Sequence, residues 1–262
     1  MRWGEWVSER LDKIAFTGST AVGKQIQRAC IGTNKKLTLE LGGKSANIIL
    51  EDAPIDQAVE GVINSIFFNQ GHVCCAGSRL FVQESIAERV LEKLKFRLQS
   101  IYVGHPLDKN TDIGAINSKK QLDTIERYIS LGLAECAEMY QPDCTLPSKG
   151  FYCKPTLFTD VAQSARIAQE EIFGPVVCVT TFKTTEEAIA IANDGAGYYF
   201  QFIPKSVLIT VFGMPSAYCT GFVETADAGL TLAAQNSSHA TGVRNVTNIS
   251  QTDAANAIAT LS

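Results

Sequence analysis

Between Lys13 and about Asp194 the apolar positions alternate between two patterns: short runs rich in strand-forming residues, and longer stretches that recur every three or four positions. That alternation predicts an α/β fold. "KIAFTG" and "KLTLEL" read as strands, with a helix from about Thr20 to Ile31 between them. "SANIILED" predicts another strand, whose acidic end at Asp52 is suited to cap the next helix, with Pro54 tolerated in the first turn. In that helix Ile55, Ala58, Val59, Val62, Ile63, Ile66 and Phe67 fall at helical spacing and predict one buried face. "SRLFVQES" reads as a strand. Ser85 and Glu88 then have the spacing of a capping box, ahead of a helix with Ile86, Val90, Leu91, Leu94 and Leu98 on one side. After the turn-rich "VGHPLDKNTDIGAINS" the pattern predicts a helix carrying Leu122, Ile125 and Ile129 and ended by Gly132. From about Gly195 to Ser262 no clear alternation continues, and only a short helix around Thr252 to Leu261 is predicted.

Composition narrows the class of partner more than the fold. The chain has 262 residues, 45% apolar and 19% charged, which suffices for one large domain or two smaller ones. A net charge of -4 gives no electrostatic ground for nucleic acid or an anionic membrane as partner. Apolar runs such as "SVLITVFGM" are too short to span a bilayer, and "MRWGEWVSERLDK" lacks the apolar region of a secretory signal. Eight irregularly spaced cysteines form no disulfide framework, so a reducing, cytoplasmic setting is expected. Without a signal, the N-x-[ST] sequons at Asn236, Asn245 and Asn248 carry no weight.

Three stretches carry candidate chemistry. In "IAFTGSTAVGKQ" a strand run ends in Gly18, and Gly23 and Lys24 follow at a spacing shared with a P-loop. The P-loop's magnesium-binding Ser or Thr is replaced by Gln25, which weakens an NTPase reading. The remaining geometry, a glycine turn at a helix N-terminus, suits an anion; a turn that binds nothing fits the local pattern equally well. "LTLELGGKSANI" puts Glu40 at a strand end ahead of Gly42 and Gly43, and "FFNQGHVCCAGSRL" puts Cys74 and Cys75 just beyond a buried helix. A carboxylate base and a thiol nucleophile are what covalent acyl chemistry needs. The bland reading is an ordinary strand-end acid and two small core cysteines. A zinc site at His72, Cys74 and Cys75 is disfavoured, because adjacent cysteines lack C-x-x-C spacing and no second ligand pair follows.

Taken together, "FTGSTAVGK", "LELGGKSA", "FFNQGHVCCAGSR" and "QEEIFGPVV" resemble, in order and separation, the signatures of the NAD(P)-dependent aldehyde dehydrogenase superfamily. The similarity runs from about Leu11 to Asp194, and "NQGHVCCAGSRLFVQES" with "PLDKNTDIGAINS" looks most like the family 16 subgroup. The resemblance implies a partial Rossmann-type coenzyme-binding segment over 11–40, a three-layer catalytic thiol domain with a mainly parallel sheet over 41–194, and a divergent tail over 195–262. It implies Cys74 as nucleophile and Glu40 as general base, with Cys75 a neighbour of no required role. Gly18, Ser19, Thr20 and Gly23 would lie under the phosphates of NAD or NADP, and Leu41 with Gly42 would meet the nicotinamide. Glu171 would hold the nicotinamide ribose, with Phe173 beside it. No residue is implied as a metal ligand. The partner implied is a small-molecule aldehyde. Members of the family are homo-oligomers, but the oligomerisation segment is not recognisable here.

The matches stop at both ends. The family's coenzyme domain begins upstream of "IAFTGST" and includes an asparagine of the oxyanion hole, and after Asp194 "GAGYYFQFIPKSVLITVFGMPSAYC" stands where a "T-P-Y-G-L" type turn is usual. "DAGLTLAA" faintly resembles that turn, as though foreign residues preceded it. The expectation is therefore an aldehyde dehydrogenase-like chain with impaired activity when assayed alone. The alternatives are a non-catalytic or partner-binding fragment and a cofactor-independent thiol esterase.

Overall fold

A computed structural model describes residues 8, 11–135, 137–194, 199–203, 222–226, 229–234 and 244–249. The chain divides into two compact units, with the boundary between Gly43 and Lys44. The first contains β1 (Lys13–Thr17), α1 (Thr20–Cys30) and β2 (Lys36–Glu40). β1 and β2 are parallel, with Lys13 opposite Lys36 and Thr17 opposite Glu40, so the unit is a βαβ crossover. Its core is Ile14, Ile26 and Cys30, with Phe16, Val22, Leu37 and Leu39 packed around them. Strand alternation leaves Lys13, Ala15 and Thr17 exposed.

The second unit is built on β3 (Ala46–Ile49), α2 (Ile55–Phe67), β4 (Arg79–Gln83), α3 (Ala87–Gln99), α4 (Lys119–Ala134), β5 (Glu138–Tyr140), β6 (Thr156–Thr159), α5 (Arg166–Gln169), β7 (Val176–Phe182) and α6 (Thr185–Asn193). Four more strands follow, β8 (Tyr199–Ile203), β9 (Phe222–Ala226), β10 (Gly229–Ala234) and β11 (Arg244–Ile249). The sheet order is β11-β10-β9-β8-β3-β4-β7-β6-β5. β8, β3, β4, β7 and β6 run parallel, whereas β5 and the β9 to β11 meander add antiparallel pairs at the two edges. Two cores lie on opposite faces. Leu80, Val82, Val177 and Val179 meet α2 and α3 on one, and Phe158, Val176 and Cys178 meet α4 and α5 on the other. Alternating strand residues thus feed two helical layers, which makes the unit three-layered.

Several local readings need correction. Asp52 caps nothing. The chain turns at residues 51–53, where Ala53 N–H donates to the Leu50 carbonyl, and Pro54 takes the N-cap position with no side-chain bond. The Ser85–Glu88 capping box does not form, because residues 84–86 make a short 3-10 turn and α3 begins after Ile86. The Ser85 hydroxyl instead donates to the Glu51 carboxylate at 2.9 Å. Gly132 lies inside α4, which runs on to Ala134; a Cβ there would press on Phe158 and Ile167, so the residue serves close packing rather than helix termination. Beyond Asp194, where no alternation was legible, four strands are present, and the helix expected at Thr252 to Leu261 lies outside the described residues. Among the described residues no helix is long and apolar enough to cross a membrane.

Candidate active site

In the first unit the turn after β1 is shaped for close backbone approach. Gly18 N–H donates to the Glu40 carbonyl at 3.0 Å, tying the turn to the end of β2. Ser19 is the N-cap of α1, accepting weakly from Val22 N–H at 3.4 Å, and no acidic residue occupies the first helical turn. The positive end of the helix is therefore not neutralised from within, which favours an anion there. Gly23 is buried in the following turn, where a Cβ would overlap the Leu41 side chain. Leu41 thereby packs on α1 just beyond β2. Thr20, Leu41 and Gly42 are half-buried, and the Glu40 side chain is exposed.

In the second unit α2 gives way to a strained loop. Asn69, Gln70 and Gly71 have φ of 49°, 59° and 74°, three consecutive left-handed residues of which only one is glycine. Local bonds hold them. His72 N–H donates to the Asn69 carbonyl at 2.9 Å, Asn69 Nδ2 donates to the His72 carbonyl at 3.2 Å, and Gln70 Oε1 accepts from Gly114 N–H at 3.2 Å. Beyond the loop Cys74 is exposed and Cys75 half-buried. Gly71 abuts the backbone of the 170–175 loop so closely that a Cβ would overlap the Gly174 carbonyl. The His72 ring meets Phe173 edge to face, with centroids 5.2 Å apart. Burial holds the His72 ring below its ordinary pKa, and Nδ1, 3.2 Å from the Gln70 carbonyl, is the protonated nitrogen of the neutral ring.

Phe173 is itself left-handed at φ 55°. Gln121 on α4 fixes its segment by donating through Nε2 to the carbonyls of Ile172 and Phe173, both at 3.0 Å. The structure thus joins Cys74's loop to that of Glu171 and Phe173 through contacts that sequence motifs alone could not reveal. The signal that was available is the run Asn69-Gln70-Gly71, since Asn and Gly are the residues that tolerate left-handed backbone.

Within this unit the motif segments converge on one end of the sheet. Lys44–Ser45 leads into β3, Cys74–Ser78 into β4 and Glu171–Pro175 into β7, three adjacent parallel strands. In open α/β sheets the usual ligand crevice lies beyond the carboxyl ends of strands. Here the candidate chemistry gathers at the amino ends. Arg79 braces that edge. Its guanidinium, 2% exposed, donates from Nε to the Lys44 carbonyl at 2.7 Å and from Nη1 and Nη2 to the carbonyls of Ile191 and Ala192 at 3.3 and 3.0 Å. Burial lowers its pKa to about 10, partly offset by Asp194, so it remains charged at neutral pH. Arg79→Met is expected to cost about 2–3 kcal/mol by stranding these buried carbonyls. Urea unfolding at neutral pH reads the loss, and an unchanged midpoint would show the bonds to be dispensable.

The model of the aldehyde dehydrogenase family matches residues 6–197. The chain is 47% identical over 184 residues to an aldehyde dehydrogenase of Davidiella tassiana, covering 70% of this chain and 37% of that protein. It is 49% identical over 206 residues to retinal dehydrogenase 2 of Rattus norvegicus, covering 76% and 40%. The NAD+ complex of an aldehyde dehydrogenase from Bacillus cereus superposes with a TM-score of 0.70 at 42% identity, covering 74% of this chain and 40% of that one. The chain thus spans roughly two fifths of the length of these relatives. With its signatures carried on matching elements and most of its length covered by the family model, the chain belongs to the aldehyde dehydrogenase family.

Proposed function

We propose that this chain carries the thiol, base and cofactor-binding elements of an NAD(P)-dependent aldehyde dehydrogenase that oxidises a small-molecule aldehyde to its carboxylic acid through a cysteine thioester. The observation that carries the reading is Cys74, an exposed thiol at the end of a backbone segment whose left-handed geometry is locked against the loop of Glu171 and Phe173. Strain of that kind persists where the surroundings impose it, and it clusters at functional sites. Domain limits of 11–40 for the coenzyme segment and 41–194 for the thiol domain belong to the same reading, with 195–262 a divergent tail. The finer assignment to the family 16 subgroup rests on the two stretches that suggested it.

The residues present fit a dinucleotide. The α1 N-terminus has no competing carboxylate, and Gly18 and Gly23 keep side-chain bulk out of the turn. Gly18, Ser19, Thr20 and Gly23 would hold the phosphates, Leu41 and Gly42 would face the nicotinamide, and Glu171 would bind its ribose beside Phe173. When bound, the nicotinamide supplies the acceptor for a hydride. In the protein's own steps Cys74 Sγ, as thiolate, attacks the aldehyde carbon and the carbonyl electron pair moves to oxygen. Collapse of that oxyanion expels hydride and leaves a thioester on Cys74. Glu40 then takes a proton from a water that attacks the thioester, which releases the acid and the thiolate.

Brief iodoacetamide treatment at neutral pH followed by peptide mass spectrometry tests the central assignment. Cys74 is expected to be alkylated well ahead of Cys75, because a reactive cysteine needs access as well as thiolate character. Predominant labelling of Cys75, or equal labelling of both, would remove Cys74 from the role.

A further inference from the structure

We propose that Lys44 is a positioning residue for Glu171, its buried ammonium holding in place the carboxylate that the proposed function assigns to the cofactor ribose. Lys44 is 1% exposed, and its Nζ has no hydrogen-bond partner among the described residues. An isolated ammonium in such surroundings is strongly disfavoured, so it must lose its proton or stand beside an anion.

Strand register says where the side chain lies. Ala46, Arg79 and Cys178 are aligned across β3, β4 and β7 and therefore share one face of the sheet. Lys44, two residues before Ala46, is on that face too. The same face carries α5, whose Ile167 carbonyl accepts from Cys178 Sγ at 3.3 Å, and Glu171 follows α5 by two residues.

Among the described residues the charged and titratable groups around this layer are Arg79, Cys178, Glu135, Asp194 and Glu171. Arg79 is a cation already engaged with three carbonyls. Cys178 is a buried thiol that desolvation pushes up, so it is neutral at pH 7. Glu135 accepts from the N–H groups of Arg166 and Ile167 at the start of α5, and Asp194 acts on Arg79. Glu171 remains. Burial lowers the Lys44 pKa most and the Arg79 cation adds to that shift, while the Glu171 carboxylate opposes it. Lys44 is also tethered from its own backbone, whose carbonyl receives Arg79 Nε at 2.7 Å, so the amine's starting point is fixed by the same residue that braces the strand.

The inference rests on the proposed function only for what Glu171 binds; the pairing itself has its own test. In the 262-residue chain carrying isotope-labelled glutamate, the Glu171 carboxyl signal is assigned with Glu171→Gln and followed by NMR against pH. Removing an adjacent cation raises a carboxyl midpoint, so Lys44→Met is expected to raise that of Glu171 by about 1 pH unit, while Lys44→Arg keeps it low. The second readout is NADH affinity by fluorescence, expected to weaken roughly tenfold in Lys44→Met, a size typical of a lost supporting contact, with Cys74 alkylation unchanged. A folded Lys44→Met chain with an unmoved Glu171 midpoint overturns the proposal. If Lys44→Met does not fold, Glu171→Gln in lysine-labelled chain decides: the Lys44 amine should titrate lower than in the parent, and no change is equally fatal. A shifted midpoint without NADH binding in the parent chain would sustain the pairing and reject the cofactor reading.

Discussion

Gly71→Ala is expected to destabilise the second unit by about 2–5 kcal/mol, the largest single-residue effect on stability anticipated outside the apolar core. Two causes act together. At φ 74° an L side chain is strained, which costs roughly 1–2 kcal/mol, and the new methyl would overlap the Gly174 carbonyl, an overpacking of about 1–3 kcal/mol. Relief by movement is restricted, because the obstacle is backbone and Gly174 is backed by Ile125 of α4. Gly32→Ala separates the causes: its φ is 78°, yet nothing lies within 4 Å of the added Cβ, so only the backbone cost of about 1–2 kcal/mol should appear. Urea unfolding of both variants gives the comparison. Equal losses would show that the contact between the two loops contributes nothing, and with it the argument that the Cys74 loop is held rigid would fail.

How much of this was legible beforehand depended on whether a feature is local. The stripe on α2 was readable from spacing alone, and Ala58, Val59, Val62, Ile63, Ile66 and Phe67 are all buried, with Ile55 packed at the margin. Burial on one face imposes a period on sequence. Helix ends did not yield in the same way. Ser85 had the right spacing for a cap, but its hydroxyl is drawn to Glu51, 34 residues away in sequence, and Gly132 is a glycine because Phe158 lies against it. Both depend on neighbours that only tertiary structure supplies. The βαβ turn at Gly18 to Gly23 was legible as a glycine turn at a helix start, open to an anion or to no ligand, and the structure adds the Gly18–Glu40 bond and the Leu41 contact that shape it. For Glu40 and Cys74 the residue types suggested chemistry, while family motifs were needed to assign roles. Lys44 passed unnoticed inside "LGGKS", since a lysine is ordinarily a surface residue and only burial makes it conspicuous.

Cys74→Ala is expected to abolish the chemistry altogether, by about 10⁴-fold or more, because a covalent mechanism without its nucleophile falls back on whatever the remaining groups achieve with water. Two substrates make the result informative for a chain that spans only part of its relatives' length. An aldehyde with NAD or NADP asks for the whole reaction, and p-nitrophenyl acetate asks only for the thiol and a base, with no cofactor. If Cys74 is the nucleophile, Cys74→Ala removes whichever of these activities the chain possesses, whereas Cys75→Ala retains most of it. Cys75 is half-buried and one peptide further along, so an equal loss in Cys75→Ala would mean that the pair acts through packing. Glu40→Gln separates the two halves of the mechanism. A carboxamide cannot accept the water's proton, so hydrolysis of the thioester should slow by about 10²–10⁴-fold while its formation continues, leaving acylated Cys74 visible as a stable mass adduct after p-nitrophenyl acetate treatment. Rapid turnover by Glu40→Gln with no trapped adduct would show that another group activates the water. Full activity in Cys74→Ala would place the nucleophile elsewhere and overturn the thioester mechanism as a whole.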